Sequence, residues 1–340
     1  MNLSRPGTSV SDADAIVRCR RLVEPAMRAA VSDLYPWGAD MASYALGWSD
    51  ADGRPYEGAG GKSVRPAIAI LSAEAVGGTA ESALPGAVAV ELVHAFSLVH
   101  DDIIDRDERR RHRDALWKAY GVGPALLAGD ALLALAVSRL TPYPEAMRHL
   151  SAALVELVQG QTADMTFETR PWLGPEEVTA AEYTRMAAGK TGGLLGAAAA
   201  TGTALGGAPE LSDRMWAMGL DLGIAFQIAD DVLGIWGDPR MTGKPVHSDL
   251  RRAKKTLPVL AALAEGGQAA HELSELLAKG ATDDATARRA AHLIEEAGGR
   301  QRAQEVAGRH LAAALAVMDE HLPAATELRA LCASVADRAH

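Results

Sequence analysis

Cysteine is nearly absent: in 340 residues only Cys19 and Cys332 occur, near opposite ends. Two such residues build no disulfide framework and no cysteine-based zinc spacing, and they point to a reducing compartment. Aromatic residues make up 4% of the chain, and alanine and leucine dominate the apolar positions, so strand signals are scarce. Positive charge is in deficit, with 34 Lys and Arg against 44 Asp and Glu, a net charge of −10. That balance argues against a generally basic surface for nucleic acid or anionic lipid. Long apolar runs are missing as well. The longest uncharged stretch, Thr191 to Pro209, holds six glycines and few large apolar side chains. A helix that crosses a bilayer needs about 20 predominantly apolar residues, so no integral membrane protein is expected. Asp12 and Asp14 follow Arg5 with no apolar segment between, which reads as neither a secretory nor a transit signal, and a cytoplasmic protein is expected.

What is present is ordinary globular material, 48% hydrophobic and 23% charged, which excludes wholesale disorder. Segments of helical length alternate with glycine and proline breaks such as Pro36 to Gly38, Gly77-Gly78, Pro142 to Pro144, Gly206-Gly207 and Gly237 to Pro245. Thr179-Ala180-Ala181-Glu182 has the form of a capping box just before an apolar stretch. No linker divides the chain, so the expectation is one all-α domain over residues 1–340.

The chemistry concentrates in one apolar segment that ends in acid: Glu91, His94, Phe96, Ser97 and His100 lead into Asp101-Asp102-Ile-Ile-Asp105. On a helix Asp101 and Asp105 share a face roughly 6 Å apart along the axis, and two carboxylates there repel. A hard divalent cation such as Mg²⁺ converts the repulsion into coordination, and Mg²⁺ characteristically shares its shell with substrate phosphates. Arg109-Arg110-Arg111-His112-Arg113 follows directly, in a net-acidic chain. Arginine forks and a metal together suit phosphate recognition, although a solvated helix end followed by surface ion pairs would carry the same residues.

A second acidic segment has Gln227 one turn before Asp230-Asp231, with Gly234 at the fifth position and Gly243-Lys244, Asp249 and Arg251 to Lys255 downstream. Alone it reads as a flexible surface loop; with the first segment it reads as the other half of a site. Two cationic corners add to it. Gly60-Gly61-Lys62-Ser63-Val64-Arg65-Pro66 offers Lys62 and Arg65 beside glycines that permit close approach to an anion, without the spacing of a nucleotide-hydrolysing P-loop. Lys190-Thr191-Gly192-Gly193 offers an ammonium, a hydroxyl and exposed amides.

In this order the residues resemble the trans-polyprenyl diphosphate synthase family, the head-to-tail condensing enzymes that include farnesyl and geranylgeranyl diphosphate synthases. The likeness runs from about Gly60 to Pro258 and takes in Gly129-Asp130 and Gly160-Gln161-x-x-Asp164. It implies an all-α isoprenoid synthase bundle around a deep central cavity, with the two acidic segments facing each other across the mouth. By the resemblance, Asp101, Asp105 and Asp230 would hold three Mg²⁺ ions on an allylic diphosphate, with Asp102 and Asp231 in support. Lys190, Lys244 and Arg110 would bind that diphosphate, and Lys62, Arg65, His94 and Arg111 would bind isopentenyl diphosphate. Thr191 and Gln227 would face the developing allylic cation. A homodimer is the family expectation.

The sequence departs from the family pattern at Gly234, which replaces the last aspartate of the second motif, and at His112 and Asp114, where glycine and proline usually stand. Phe96 and Ser97, five and four residues before Asp101, resemble the short-chain geranylgeranyl type and favour a C20 product over C15. A class I terpene cyclase is the nearest rival. Its metal-binding triad has no match, since the positions after Asp230 read Gly234 and Asp238 and those after Asp231 read Ile235 and Pro239. The other rival is a non-catalytic regulatory subunit of a heteromeric synthase.

Overall fold

Alanine and glycine let helices approach closely, and the centre of the molecule is built on that property. A computed structural model describes residues 12–56, 63–238, 246–280 and 283–336, which are mostly helical. In chain order the helices are α1 (Asp12–Val31), α2 (Pro36–Ala45), α3 (Val64–Ala75), α4 (Leu84–Ile104), α5 (Leu116–Tyr120), α6 (Val122–Leu140), α7 (Pro144–Thr169), α8 (Ala180–Ala187), α9 (Gly193–Leu205) and α10 (Ser212–Trp236). They continue with α11 (Ser248–Arg251), α12 (Leu257–Glu265), α13 (Gly267–Lys279), α14 (Asp284–Glu296), α15 (Gly299–His321) and α16 (Thr326–Ala336). Lys62 and Lys244 lie outside the described residues.

α9 is the uncharged, glycine-rich run of the sequence, and every residue from Gly193 to Thr203 is buried. It packs against α3, α4, α7 and α10. A Cβ at Gly202 would stand 2.0 Å from the carbonyl oxygen of Ala69, and one at Gly219 would stand 2.5 Å from that of Leu195. No side chain fits at either crossing, so the small residues set the helix spacing.

The capping box forms as the sequence predicts. Thr179 Oγ1 accepts from the Glu182 amide at 3.2 Å, while Glu182 Oε2 accepts from the Thr179 amide at 2.9 Å. Arg170, then Thr179, hold the Glu182 carboxyl down at about 2. This cap fixes the start of α8, which runs directly into the segment that carries Lys190 and Thr191.

Two features differ from the sequence expectation. A small antiparallel hairpin joins β1 (Arg109–Arg110) to β2 (Arg113–Asp114). And α6 is long and apolar enough, by length and composition alone, to cross a membrane, with a mean hydropathy of 1.4. A search for uncharged runs passes over it because Asp130 and Arg139 interrupt it. One side of α6 lies along α4, whereas Val122, Leu126 and Leu127 are exposed.

Gly202→Ala is expected to lower unfolding free energy by about 1–3 kcal/mol through overpacking against a backbone carbonyl. Chemical denaturation with an unchanged midpoint would show that the α3–α9 crossing can open at no expense.

Candidate active site

α4 is buried along most of its length and turns polar in its last turn. Its three carboxylates divide by direction. Asp102 is 3% exposed and takes the fork of Arg110, with Nε at 2.8 Å from both carboxylate oxygens and Nη2 at 2.6 Å from Oδ1. Asp101 and Asp105 share the other face and are only partly buried. Burial pushes the Asp101 carboxyl up and the neighbouring Asp105 charge adds to that, while the Lys190 ammonium pulls it down. Asp105 also faces Arg252 Nη2 at 3.7 Å and Lys254 Nζ at 3.9 Å, and Arg252 forks Asp107 at 2.9 and 3.3 Å. The segment after α11 thus reaches across to the end of α4.

Lys190 and Thr191 sit in a π-helical turn, Ala188–Gly192, between α8 and α9. Such turns are strained insertions that re-aim side chains, and they are frequent at functional sites. Glycines seat this one. A Cβ at Gly160 on α7 would stand 2.2 Å from the Lys190 amide nitrogen, and one at Gly223 on α10 would stand 2.3 Å from Gly192 Cα. Lys190 Nζ donates to Asp164. Thr191 Oγ1 donates to Gln227 Oε1 at 2.6 Å, and Gln227 Nε2 donates to Asp231 Oδ1 at 3.1 Å.

The second pair divides as the first does. Asp230 is exposed, whereas Asp231 is 6% exposed and also accepts from the Tyr183 hydroxyl and the Leu257 amide. Burial pushes Asp231 up to about 7 even though three donors oppose the shift. Each acidic pair therefore presents one carboxylate to the mouth and fastens the other to the scaffold.

A second charged group lies around Arg65, Glu91, His94 and Arg111. Burial depresses the Arg65 guanidinium, and Glu91 and Asp230 support its charge. Burial raises Glu91, and the Arg65 and Arg111 charges oppose that. Burial, then the cations Arg65, Arg111 and Arg110, hold His94 well below the ordinary histidine range, so it is neutral at pH 7. Among the described residues the buried Nε of Arg65 has no hydrogen-bond partner.

The hairpin sends Arg110 to Asp102 and sets Arg111 in the field of Glu91 and His94. Its two loop residues, Arg111 and His112, have φ of 50° and 67°, a region that favours glycine. Arg113 pins the turn through the carbonyls of Tyr44 and Ser49 and lies 3.7 Å over the Tyr44 ring, while the Asp114 carbonyl accepts from Tyr44 OH. His112 and Asp114 alter this loop and leave the acidic residues untouched.

Phe96 stands edge-on to His100 at 4.7 Å, and Ser97 Oγ donates to the His94 carbonyl at 2.9 Å. His100 itself fits only because residue 129 is glycine: a Cβ there would lie 2.3 Å from Nε2. Tyr183 carries no site signal in the sequence, and His100, Arg252 and Lys254 have no role assigned there. The last two lie in a visible cationic run, whereas nothing local marks Tyr183 or His100 as partners of the site.

Among the described residues no three Asp, Glu, His or Cys side chains converge closely enough to hold an ion alone. The exposed-face carboxylates suit a hard cation whose shell is completed by diphosphate oxygens and water. A separate recess of about 880 Å³ lies beside α1, where Arg18 pairs with Glu74 and Glu327 and Arg21 also lines the wall.

The family model described as polyprenyl synthetase matches residues 54–294. The chain belongs to the polyprenyl synthetase family. It is 47% identical over 301 residues to a (2E,6E)-farnesyl diphosphate synthase of Mycobacterium tuberculosis, covering 85% of this chain and 82% of that one. It is 42% identical over 311 residues to a geranylgeranyl diphosphate synthase of the same species, covering 89% and 87%. The crystal structure of a polyprenyl synthetase from Streptomyces coelicolor superposes with a TM-score of 0.88 at 44% identity, over 94% of this chain and 98% of that one. The fold is the helical isoprenoid synthase type, and the protein is a short-chain trans-prenyltransferase.

In the ligand-free protein the His94 imidazole is expected to stay neutral down through the ordinary histidine range. Because its folded pKa lies below the unfolded value, its contribution to stability falls only as pH drops through about 6.5, where the unfolded chain takes up the proton first. Inorganic diphosphate bound beside Arg65 and Arg111 would cancel part of the cationic field and draw the pKa upward. An imidazole NMR signal that titrates near 6.5 without ligand, or ignores diphosphate, would contradict this arrangement.

Proposed function

We propose that the protein condenses isopentenyl diphosphate head to tail with dimethylallyl, geranyl or farnesyl diphosphate, yielding an all-trans product of C20 length, geranylgeranyl diphosphate. What supports this reading is that the charged residues fall into two groups. One consists of Asp101, Asp105, Asp230 and Lys190; the other consists of Arg65, His94 and Arg111, where Arg65 Nε has no hydrogen-bond partner among the described residues. Condensation needs two diphosphates held at once, whereas a cyclase needs one.

In this reading Asp101, Asp105 and Asp230 would hold three Mg²⁺ ions beside the allylic diphosphate, and when bound these would supply electrostatic stabilisation to its departure. Divalent metal use is general in the family; the identity and number of ions are our proposal. Lys190 reaches the departing diphosphate and Lys244 joins it from outside the described residues. Arg110 acts chiefly by fastening Asp102, and so sets the direction of the last turn of α4. Thr191 donates its proton to Gln227 and so turns a lone pair toward the developing allylic cation, and Asp231 with Tyr183 holds Gln227 in place. Arg65, His94, Arg111 and Lys62 orient isopentenyl diphosphate so that its double bond meets the cation, a gain in orientation rather than in covalent chemistry. Proton loss to the departed diphosphate completes the turnover.

A class I cyclase has no use for the Arg65 group, and a regulatory subunit has no need to keep Asp101, Asp105 and Asp230 intact. Phe96, backed by His100, forms the floor of the product pocket, and Ser97 leaves room for C20; the farnesyl synthase relative argues for C15. We also infer a single catalytic domain that works as a soluble cytoplasmic homodimer. The exposed Val122, Leu126 and Leu127 of α6 and Val155, Val158 and Met165 of α7 supply an apolar face for a second copy. Sedimentation as a monomer would overturn that part.

Product analysis with Mg²⁺, isopentenyl diphosphate and each allylic primer tests the reading. Elongated diphosphates ending at C20 are expected, Asp101→Ala and Asp230→Ala should each lower the rate by at least about 10³-fold, and Phe96→Ala should lengthen the product. Cyclic hydrocarbon formed without isopentenyl diphosphate, or no turnover with any primer, would overturn it.

A further inference from the structure

The hairpin that carries Arg110 and Arg111 does not hold itself. Its ladder has only two residue pairs, Arg109 with Asp114 and Arg110 with Arg113, too few for a hairpin to stand alone in water. Its loop residues Arg111 and His112 both take positive φ with side chains in place, a conformation that costs free energy and persists only where the surroundings over-determine it. Within the turn, Arg109 Nη2 donates to the His112 carbonyl at 2.8 Å. The remaining support comes from outside.

Arg113 brings it. Its guanidinium lies 3.7 Å over the Tyr44 ring and 4.9 Å over the Tyr56 ring, while Nη2 donates to the Tyr44 carbonyl at 2.6 Å and Nη1 to the Ser49 carbonyl at 3.2 Å. All four partners are neutral, so the contact is one of stacking and directed hydrogen bonds, to which a planar guanidinium is suited. Tyr44 answers from its other end, where its hydroxyl donates to the Asp114 carbonyl at 2.7 Å. The frame that receives Arg113 is itself closed. Tyr44 is 6% exposed in the last turn of α2 and stands edge-on to Tyr120 of α5, Ser49 bridges to Pro55, and the Tyr56 amide donates to the Trp48 carbonyl at 3.0 Å.

We infer that Arg113, clamped between Tyr44 and Tyr56, is a positioning residue for isopentenyl diphosphate: it holds the strained turn that sets Arg111 beside Glu91 and His94. The inference rests on the proposed condensation, in which Arg111 takes that substrate. Glycine at 112 and proline at 114 would shape the turn through the backbone alone; with His112 and Asp114 in their places, a side chain performs that task. Arg110 has its own anchor in Asp102, so loosening the clamp falls on Arg111 and on the substrate that it meets.

The test is steady-state condensation by the full chain, with KM for isopentenyl diphosphate and KM for geranyl diphosphate measured separately. KM is read from molecules that turn over, so a mere loss of folded protein lowers the total rate and leaves both values in place. Arg113→Met keeps the apolar stem and is expected to raise KM for isopentenyl diphosphate about 10-fold or more, with KM for geranyl diphosphate within about threefold of native. Tyr44→Leu should do the same, and the double variant should lie within about threefold of either single one, because both changes open one clamp. Adding His112→Gly to Arg113→Met removes the cost of positive φ and should recover at least about threefold in KM. An unchanged KM for isopentenyl diphosphate in Arg113→Met, equal rises in both KM values, effects of Arg113→Met and Tyr44→Leu that multiply, or no recovery with His112→Gly would overturn the inference. A native chain that consumes no isopentenyl diphosphate with any allylic primer would instead overturn the functional reading on which it rests.

Discussion

Like charges held together at the mouth of an apolar helical bundle are the constraint on which the rest of this structure depends. Burial and mutual repulsion raise Asp101, Asp102 and Asp231, and burial depresses Arg65, Arg111 and His94. Uncompensated, such groups would neutralise or destabilise the fold. The chain answers by splitting each acidic pair. Asp102 is satisfied by Arg110, and Asp231 by Tyr183, Gln227 and the Leu257 amide. Asp101 and Asp105 turn the other way, with Lys190, Arg252 and Lys254 as the cations around them, and Asp230 is exposed near the end of α10. Arg65, Glu91 and Arg111 share a second charged group around His94. In the proposed function these groups are an acidic and a basic rim, the first for a diphosphate carried by metal and the second for one taken directly.

Holding those rims in register falls to residues with little or no side chain. Gly160 and Gly223 bring α7 and α10 onto the π-helical turn, so the position of Lys190 and Thr191 is set by backbone contact. Gly129 performs the same service for His100 and, through it, for Phe96. In each case a glycine that looks like a helix weakness marks a place where a functional group or its supporting backbone must come within contact distance of another helix.

Much of this was legible in the sequence. The alanine-rich composition, the glycine breaks and the Thr179 capping box specify a helical protein, and the ordered acidic and cationic motifs mark charged residues that the fold gathers near the ends of α4 and α10. What the residues did not disclose is direction. Asp101 and Asp102 are adjacent and chemically identical, and only the fold decides that Asp102 turns inward to Arg110. Tyr183 lies 48 positions from Asp231 and carries no local mark of their pairing. Gly234 reads only as a missing last aspartate of the second motif, and the Asp249 side chain that lies against it arrives from another segment and leaves no trace in the spacing. α6 leaves no long uncharged run because Asp130 and Arg139 interrupt it, although its apolar character survives them.

The central claim is that the two acidic segments hold metal on one diphosphate while a separate basic group holds another. It is tested most directly by anomalous diffraction from crystals of the protein with Mn²⁺, an unreactive allylic thiodiphosphate and isopentenyl diphosphate. The account predicts Mn²⁺ peaks between the allylic diphosphate and the carboxylates of Asp101, Asp105 and Asp230, with Lys190 on that diphosphate and Arg65, His94 and Arg111 on the other. Manganese bound away from these carboxylates, or both diphosphates gathered on one rim, would contradict it.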